Sequence, residues 1–267
     1  MKRMPTLFVS HGSPMHAVQD APASAAWRTI AREVPHPRAV LIASAHWETA
    51  MPMLTGSERP ETIHDFGGFP QELYRIRYPA PGAPDIAARA VALLEDAGIT
   101  AGIDGCRGLD HGAWVPLRWM YPSADVPVVQ LAIQPQLGAA HHVEVGRALS
   151  SLRDQGVLII ASGHVTHNLR DWMTQRGAVQ PLPYVREFSE WLAARIEERD
   201  TEALVAYRDR APGAARAHPT DEHFLPLFIA WGAADAGDEP RRAYAGYDGS
   251  ALAMDAYLFA PRQAKAA

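Results

Sequence analysis

Val157-Leu158-Ile159-Ile160-Ala161-Ser162 is an apolar run in which both alternating sets of side chains are suited to burial. Such a run is typical of a strand covered on both faces, as in a parallel sheet flanked by helices. Three further runs share this character: Thr6–Ser10, Ala39–Ala45 and Pro127–Ile133. Because helical patterns separate the four runs, the sequence predicts an α/β fold with three layers, α/β/α, around a mostly parallel central sheet.

Helical periodicity and end signals place helices between and after these strands. The predicted helices are Ser24–Val34 with Ser24 as N-cap, Pro84–Ala97, Trp114–Tyr121, Ala139–Gln155 and Tyr184–Arg199. Proline at the first position and glycine after the last are typical helix ends. Near the C-terminus, Tyr244–Phe259 has two short runs around Asp248-Gly249. This pattern predicts a hairpin whose antiparallel strands make the sheet mixed.

Composition narrows the class of protein. The chain has 267 residues, 48% of them hydrophobic, a formal net charge of −5 and a single cysteine, Cys106. We expect one catalytic domain over residues 1–267, since α/β chains of this length often form one unit. The scattered basic residues do not favour nucleic acid as a partner, and no apolar run reaches the roughly 20 residues that span a bilayer. Without a signal peptide or an intrachain disulfide, the expected location is the cytoplasm.

Histidines stand where three of the four predicted strands end. The chain contains 12 histidines in all. Those that follow a predicted strand directly or after a short loop are His11, His46, His164 and His167. The carboxyl ends of parallel strands share the edge at which open α/β sheets bind ligands, so these imidazoles should converge there. The sequence therefore predicts a metal or catalytic centre at this edge.

Two more histidines are candidates for the same centre. Thr220 is a predicted N-cap, which would place His223 in the first turn of a helix. Asp110 directly precedes His111 and is a candidate for orienting its ring. Five other histidines are interpreted as ordinary surface or hydrogen-bonded residues: His16, His36, His141, His142 and His218. Of these, His141 and His142 are expected to be solvated.

Seven motifs occur together, in order, in one known family. They are Phe8–Met15 (FVSHGSPM), Ser44–Glu48 (SAHWE), Thr62–Pro70 (TIHDFGGFP), Tyr78–Gly82 (YPAPG), Leu109–Trp114 (LDHGAW), Thr166–Leu169 (THNL) and His218–Leu227 (HPTDEHFLPL). With these motifs the chain resembles the DOPA 4,5-dioxygenase-like branch of the class III (LigB-type) extradiol ring-cleavage dioxygenases. The resemblance extends from about Met4 to Phe259.

The resemblance implies a three-layer α/β fold and an enzyme that cleaves a catechol-type ring beside its two hydroxyl groups with O2. It places metal ligands on His11, His46 and His223. It places the acid/base role on His167, which is also a possible fourth ligand, and makes His111 a second histidine in the pocket. The implied cofactor is Fe(II) in a mononuclear non-haem centre, with Zn(II) possible in the same site.

Two positions depart from the usual pattern. Non-haem Fe(II) oxygenases commonly use two histidines and a carboxylate, whereas this chain offers His223 with Glu222 beside it, so the choice between iron and zinc stays open. His164 stands where relatives commonly carry a small or amide residue. It either lines the pocket mouth, where it would alter substrate choice, or is exposed. The loop His64–Pro70 is expected near the pocket.

Two other functions stay open at this point. A zinc hydrolase would use the same three histidines, with metal-bound water as nucleophile and Glu48 or Glu222 as base. A non-enzymatic, Memo-like metal-binding protein would need neither His111 nor His167. The sequence leaves the substrate open among catechols and aminophenols, and it leaves the oligomeric state unknown.

Overall fold

The protein is described by a computed structural model over residues 2–175 and 177–262, and it is built on a central sheet. The strands are β1 (Thr6–Ser10), β2 (Ala39–Glu48), β3 (Met53–Thr55), β4 (Gly102–Asp104), β5 (Val128–Ile133), β6 (Val157–Gly163), β7 (Asp238–Tyr244), β8 (Tyr247–Asp248), β9 (Leu252–Ala253) and β10 (Ala256–Pro261). Eight of them form one sheet in the order β4-β3-β5-β2-β6-β1-β10-β7, and β8 pairs with β9 separately.

The four strands predicted from the sequence form the parallel centre of the sheet. Neighbouring strands are parallel from β5 through β2 and β6 to β1. β10 and β7 add antiparallel strands at one edge, and β3 is antiparallel to β5. The predicted mostly parallel, mixed sheet is confirmed, and a hairpin does form around Asp248-Gly249 as the β8–β9 pair. That pair lies outside the central sheet, so the prediction that its strands make the sheet mixed is wrong: β7 and β10, on either side of the hairpin in the chain, do so. Because Ser10 pairs with Gly163 and Ser44 with Ser162, the ends of β1, β6 and β2 lie side by side.

Helices cover both faces of this sheet. They are α1 (Pro22–Glu33), α2 (Pro84–Asp96), α3 (His111–Met120), α4 (Gly138–Leu149), α5 (Leu169–Thr174), α6 (Pro183–Glu197), α7 (Thr201–Val205), α8 (Tyr207–Arg210), α9 (Ala214–Ala217) and α10 (Pro226–Ala233). α1 and α3 share a core with strand residues such as Val40 and Leu158, while α2, α4 and α10 share one with Leu41 and Ile159. The three-layer architecture is therefore as predicted. Among the described residues, no helix has the length and apolar character to span a lipid bilayer.

Two helices begin two or three residues earlier than predicted, each for a local reason. α1 begins at Pro22, whose fixed backbone suits the first helical position. Ser24 is therefore inside the helix, where its hydroxyl accepts a hydrogen bond from the N–H of Ala21 (3.4 Å). α3 begins at His111 because the Asp110 carboxylate is the N-cap and accepts the N–H of a residue in the first turn. This start sets His111 at the end of the helix that faces the sheet edge.

Two glycines allow α4 and α10 to approach backbone to backbone. A Cβ atom at Gly146 would lie 2.2 Å from the carbonyl oxygen of Ile229, and one at Gly232 would lie 2.0 Å from that of Val143. Each glycine of one helix thus faces a carbonyl of the other, which leaves no volume for a methyl group. This contact holds α10, and with it the segment that precedes α10, against the sheet.

We expect Gly146→Ala and Gly232→Ala to destabilise the protein, although alanine is the better helix former by about 1 kcal/mol. The methyl group must displace backbone rather than a flexible side chain, and such overpacking typically costs about 1–3 kcal/mol. Urea unfolding followed by circular dichroism measures the change. Gly237→Ala is the matched control, because its Cβ would meet nothing within 4 Å. A midpoint for Gly146→Ala at or above that of wild type would contradict the contact.

Candidate metal centre

Imidazole rings gather at the carboxyl edge of the sheet. His11 follows β1, His46 lies near the end of β2 and His164 follows β6. The ring centroid of His11 lies 4.9 Å from that of His46, 4.9 Å from that of His164 and 5.5 Å from that of His223. The structure thus brings together side chains that are up to 212 residues apart in the chain, as the positions of the strand ends indicated.

His223 lies in a turn and not in the helix predicted after Thr220. That prediction is wrong: α10 begins only at Pro226, and the Thr220 hydroxyl donates to the carboxylate of Glu222 instead of capping a helix. The carbonyl oxygen of His223 accepts the N–H of His164 (2.7 Å), which ties the turn to the end of β6. A Cβ at Gly163 would lie 2.1 Å from that same oxygen, so only glycine permits this approach.

Hydrogen bonds decide which nitrogen of His11 and of His223 carries the proton. The Ser162 hydroxyl donates to the carbonyl of Gly112, so at 3.0 Å it must accept from Nδ1 of His11. Nδ1 of His223 donates to the carboxylate of Glu222 (3.0 Å). In both rings Nε2 is therefore left with a lone pair. Nε2 of His223 is buried and finds no hydrogen-bond partner among the described residues.

The arrangement of these nitrogens fits a metal ion. One ligand nitrogen from each of His11, His46 and His223 can be chosen so that all lie within 4.8 Å of one another. The Nε2 atoms of His11 and His46 are 3.0 Å apart, as expected of two nitrogens bound to one ion at roughly 2.0–2.1 Å. Two lone pairs at this distance repel unless a proton or a cation lies between them. The unpartnered Nε2 of His223 is available as the third donor.

Burial keeps these imidazoles uncharged. Desolvation lowers the pKa of His11 and of His223 well below its ordinary value, and the neighbouring histidines lower each pKa further. The pKa of His46 is lowered in the same way, although the carboxylate of Asp65 opposes the shift. Neutral imidazole is the form that ligates metals. The three side chains therefore need no deprotonation at neutral pH before they bind an ion.

His111 is held by Asp65 and not by its neighbour Asp110. Oδ2 of Asp65 lies 2.9 Å from Nδ1 of His111, and Oδ1 accepts the backbone N–H of His111 at 2.9 Å. Burial would raise the pKa of Asp65, but the contacts with His111 outweigh it and hold that pKa at about 2. Asp110 caps α3 and faces Ser44, so the expectation that it orients the His111 ring is wrong. The His111 ring lies 3.9 Å from that of His46.

His167 lies against the trio of His11, His46 and His223 on the side of the turn. Its ring stacks on that of His223 with centroids 3.5 Å apart and planes 10° apart. Burial, with the nearby His111, lowers the pKa of His167 to about 4. A ligand atom of His167 also lies within 4.8 Å of Glu222 and of His223, so the structure is compatible with both roles considered for it. A neutral His167 is able to accept a proton.

His164 is buried, so the alternative that it is exposed is wrong. Its Nε2 accepts a hydrogen bond from the N–H of Gly12 (3.1 Å). Its ring also lies near His167, with centroids 5.2 Å apart. His164 is thus part of the wall of the site.

Among the five histidines interpreted as ordinary surface or hydrogen-bonded residues, the prediction for His142 is wrong. His142 is fully buried, with Nδ1 donating to the carbonyl of Gly138 (2.7 Å) and Nε2 accepting from the N–H of Gln134 (3.1 Å), whereas a solvated position was expected. His218 is buried and bonds to the carbonyl of Val165, and His36 is exposed, which agrees with an ordinary surface or core role. His16 is buried near Trp27.

The sequence did not predict that three residues of the site hydrogen-bond to histidine rings. Asp65 and Ser162 bind ring nitrogens, and Glu222 does so for His223 rather than serving only as a candidate base or ligand. Asp65 lies 46 residues from His111, so no local pattern links them. The loop His64–Pro70 does lie at the pocket as expected, with the ring of Phe66 at 5.8 Å from that of His111.

Comparison with known proteins gives one consistent match. Residues 5–254 match the family described as the catalytic LigB subunit of aromatic ring-opening dioxygenase. A 4,5-DOPA dioxygenase extradiol of Escherichia coli (strain K12) is 44% identical over 241 residues, which cover 89% of this chain and 88% of that protein. A protein of the same name from Beta vulgaris is 41% identical over 258 residues, 95% and 96% of the two chains. A crystal structure of an uncharacterised protein from Escherichia coli K12 has a TM-score of 0.82 at 37% identity, covering 96% of this chain and 99% of that chain.

The buried histidines should make the metal-free protein sensitive to acid. Burial lowers the pKa of His142 and His167 to about 4 and that of His218 to about 3. Below the pKa of about 6.5 that histidine has in an unfolded chain, the unfolded state takes up protons that the folded state does not, so stability falls with pH. Between about pH 6.5 and pH 5 each such residue should remove about 1.5 kcal/mol from the free energy of unfolding.

Urea unfolding of the metal-free protein over this pH range checks the slope. His142→Gln should show a shallower dependence on pH, whereas His36→Gln, at an exposed position, should keep the slope of wild type. A free energy of unfolding that does not change over this range would contradict the buried, neutral state of these side chains.

Proposed function

The chain belongs to the family of catalytic LigB subunits of aromatic ring-opening dioxygenases, and on that basis we propose that it opens a catechol-type ring with O2, by extradiol cleavage, at a mononuclear non-haem Fe(II) centre held by His11, His46 and His223. The observation that carries this proposal is the set of three neutral imidazoles whose ligand nitrogens converge within 4.8 Å. Hydrogen bonds to Ser162 and Glu222 leave Nε2 of two of them free for an ion.

Iron is proposed over zinc because of the reaction. Zn(II) fits the same nitrogens, but zinc has no redox chemistry. Activation of O2 at a metal requires a metal that changes its oxidation state. Bound Fe(II) would supply the site where both catechol hydroxyl groups and O2 meet, with charge that lowers the hydroxyl pKa values. With three protein ligands, the ion would keep further coordination positions for these molecules.

The remaining histidines have the proton-handling roles in this proposal. His167 is the acid/base residue, because it is neutral, lies beside the trio and stacks on His223 without belonging to the three. A fourth-ligand role for His167 is the alternative within the same site. His111 is the second histidine of the pocket, with its ring against that of His46.

The substrate is proposed to be a small catechol-type molecule. The similar proteins from Escherichia coli and Beta vulgaris carry the name 4,5-DOPA dioxygenase extradiol, which makes DOPA the first catechol to test. Phe66, whose ring lies edge-on to His111, is placed to contact an aromatic ring in the pocket. No nucleic acid or membrane partner is part of the proposal. We further propose a single catalytic domain over residues 1–267 in a reducing cytoplasm, where the exposed Cys106 stays free.

The two competing functions have less support. In a zinc hydrolase Glu222 would be the nearest base, but its carboxylate is bonded to Nδ1 of His223 and so supports a ligand instead. Glu48 is exposed, and both partial burial and Glu222 raise its pKa, which leaves it at the rim. A Memo-like binding protein would not need Asp65 to hold His111 beside the trio. These contacts favour an enzyme.

Anaerobic reconstitution with Fe(II), followed by a panel of catechols led by DOPA, tests the proposed reaction. We expect O2 uptake and a new visible absorption band from the ring-opened product, and neither with Zn(II) in the site, since zinc lacks redox chemistry. Binding of catechols without O2 uptake by the iron form would instead favour the binding protein. Hydrolysis of ester or amide substrates by the zinc form would favour the hydrolase.

Two variants separate metal binding from proton transfer. His11→Ala should remove most of the metal on elemental analysis, because it removes one of three ligands. His167→Ala should keep the iron, still bind a catechol and lose ring cleavage by about 10²-fold or more, since a general acid/base typically contributes about 10²–10⁴-fold. His36→Ala, at an exposed position, is the control for both assays.

Loss of metal from His167→Ala would show that His167 is a ligand. Near-normal cleavage by that variant would remove it from the acid/base role. Full metal content in both His11→Ala and His223→Ala would overturn the proposed ligand set.

A further inference from the structure

Asp65 engages His111 through both of its carboxylate oxygens. Oδ1 accepts the backbone N–H of His111 and Oδ2 lies 2.9 Å from the ring Nδ1. The side chain of Asp65 is 20% exposed to solvent, and that of His111 is 8% exposed. Two contacts from one carboxylate to one residue fix both the position of the ring and its rotation about the Cβ–Cγ bond.

The same contact fixes the tautomer of the ring. An ionised carboxylate only accepts hydrogen bonds, so the hydrogen atom between Oδ2 and Nδ1 belongs to the His111 ring. In the neutral ring, Nε2 is then the nitrogen with the lone pair. Among residues 2–175 and 177–262, Asp65 is the only residue that hydrogen-bonds to the His111 ring, and it does so through Nδ1. The His111 ring lies 3.9 Å from that of His46 and 5.4 Å from that of His11, so it stands beside the proposed metal ligands.

We propose that Asp65 is a positioning residue for ring cleavage: it holds His111 in the Nδ1–H tautomer, so that the free Nε2 accepts a hydrogen bond from a hydroxyl group of the bound catechol. This inference rests on the proposed function for its substrate, but the positioning itself does not. The loop His64–Pro70 thereby has a defined task, which is to bring one carboxylate to the start of α3.

Replacement by asparagine discriminates this role from simple packing. In Asp65→Asn the side chain keeps its shape, and its amide oxygen can still accept the backbone N–H of His111. The amide NH2 then faces Nδ1, which must give up its hydrogen atom to accept, and the neutral ring carries its hydrogen on Nε2 instead. The variant therefore inverts the tautomer without removing any ring. Asp65→Glu keeps a carboxylate and should keep the Nδ1–H form.

The tautomer is read directly by NMR of protein labelled with 15N-histidine, in the zinc-loaded form because zinc is diamagnetic. The signals of His111 are identified by their loss in His111→Ala. We expect the Nδ1–H form in wild type, in Asp65→Glu and in Glu72→Gln, which removes a charge from an exposed position near the same loop. We expect the Nε2–H form in Asp65→Asn. An unchanged tautomer in Asp65→Asn would overturn the proposal.

Kinetics of the iron-loaded protein supply the second readout. Asp65→Asn should lower kcat by about 10²-fold, in the range of a misplaced acid/base group, with unchanged iron content. In the His111→Ala background the same substitution should change kcat by less than about twofold, because residues that act through one another are not additive. An equal loss in both backgrounds would show that Asp65 acts elsewhere, through His46 or the stability of the loop, and would overturn the positioning role.

Different results would overturn the proposed function and the positioning role of Asp65. A wild-type protein that cleaves no catechol, while Asp65→Asn still switches the tautomer, would overturn the proposed function and the hydroxyl contact but leave the positioning by Asp65 standing. Active wild type with no coupling between Asp65 and His111 would leave the function standing and remove Asp65 from it.

Discussion

The desolvation of neutral imidazoles at the sheet edge is the constraint on which the site depends. His11 and His223 are almost completely buried, and a charged imidazolium there would lose its hydration without gaining a carboxylate at every nitrogen. Burial therefore keeps lone pairs available at neutral pH. The burial itself comes from the backbone approach at Gly163, which draws the turn that carries His223 onto the end of β6. The site is thus produced by the packing of the sheet edge.

A neutral imidazole has one proton for two nitrogens, so each ring needs an acceptor to settle its tautomer. Ser162 accepts from His11, Glu222 accepts from His223 and Asp65 accepts from His111. In each case Nδ1 is the nitrogen that donates, so the lone pair of the neutral ring is on Nε2. Free lone pairs that face one another are unfavourable in a dry site, and a bound cation removes that cost. An ion bound at the proposed site would therefore stabilise the folded chain, because the unfolded chain offers no such preformed set of ligands.

The sequence was a good guide to the centre of the sheet and a poor one to the contacts of the site. Strands such as β1 and β6 follow from their apolar runs, and histidines at strand ends converge because parallel strands end at one edge. The turn at His223 was read as a helix, since Thr220 has the chemistry of an N-cap but bonds to a side chain instead. His142 was expected to be solvated because the sequence does not show that its ring meets the backbone of Gln134 and Gly138 around the start of α4. Pairing of Asp65 with His111 depends in the same way on tertiary structure.

The hydrogen bonds also explain why His164, although its ring is as close to His11 as that of His46, does not join the trio. The N–H of Gly12 can only donate, so Nε2 of His164 is the acceptor and cannot also bind an ion with that lone pair. The hydrogen of the neutral ring then resides on Nδ1, the reverse of the arrangement in His11 and His223. Nδ1 of His164 is buried and lacks a hydrogen-bond partner within the part of the chain that the structure describes. Of the two nitrogens of this ring, one is therefore occupied by the backbone and the other is a donor. In the proposed centre, the suitability of an imidazole as a metal ligand therefore depends on which of its nitrogens is already engaged, and proximity to the centre is not sufficient.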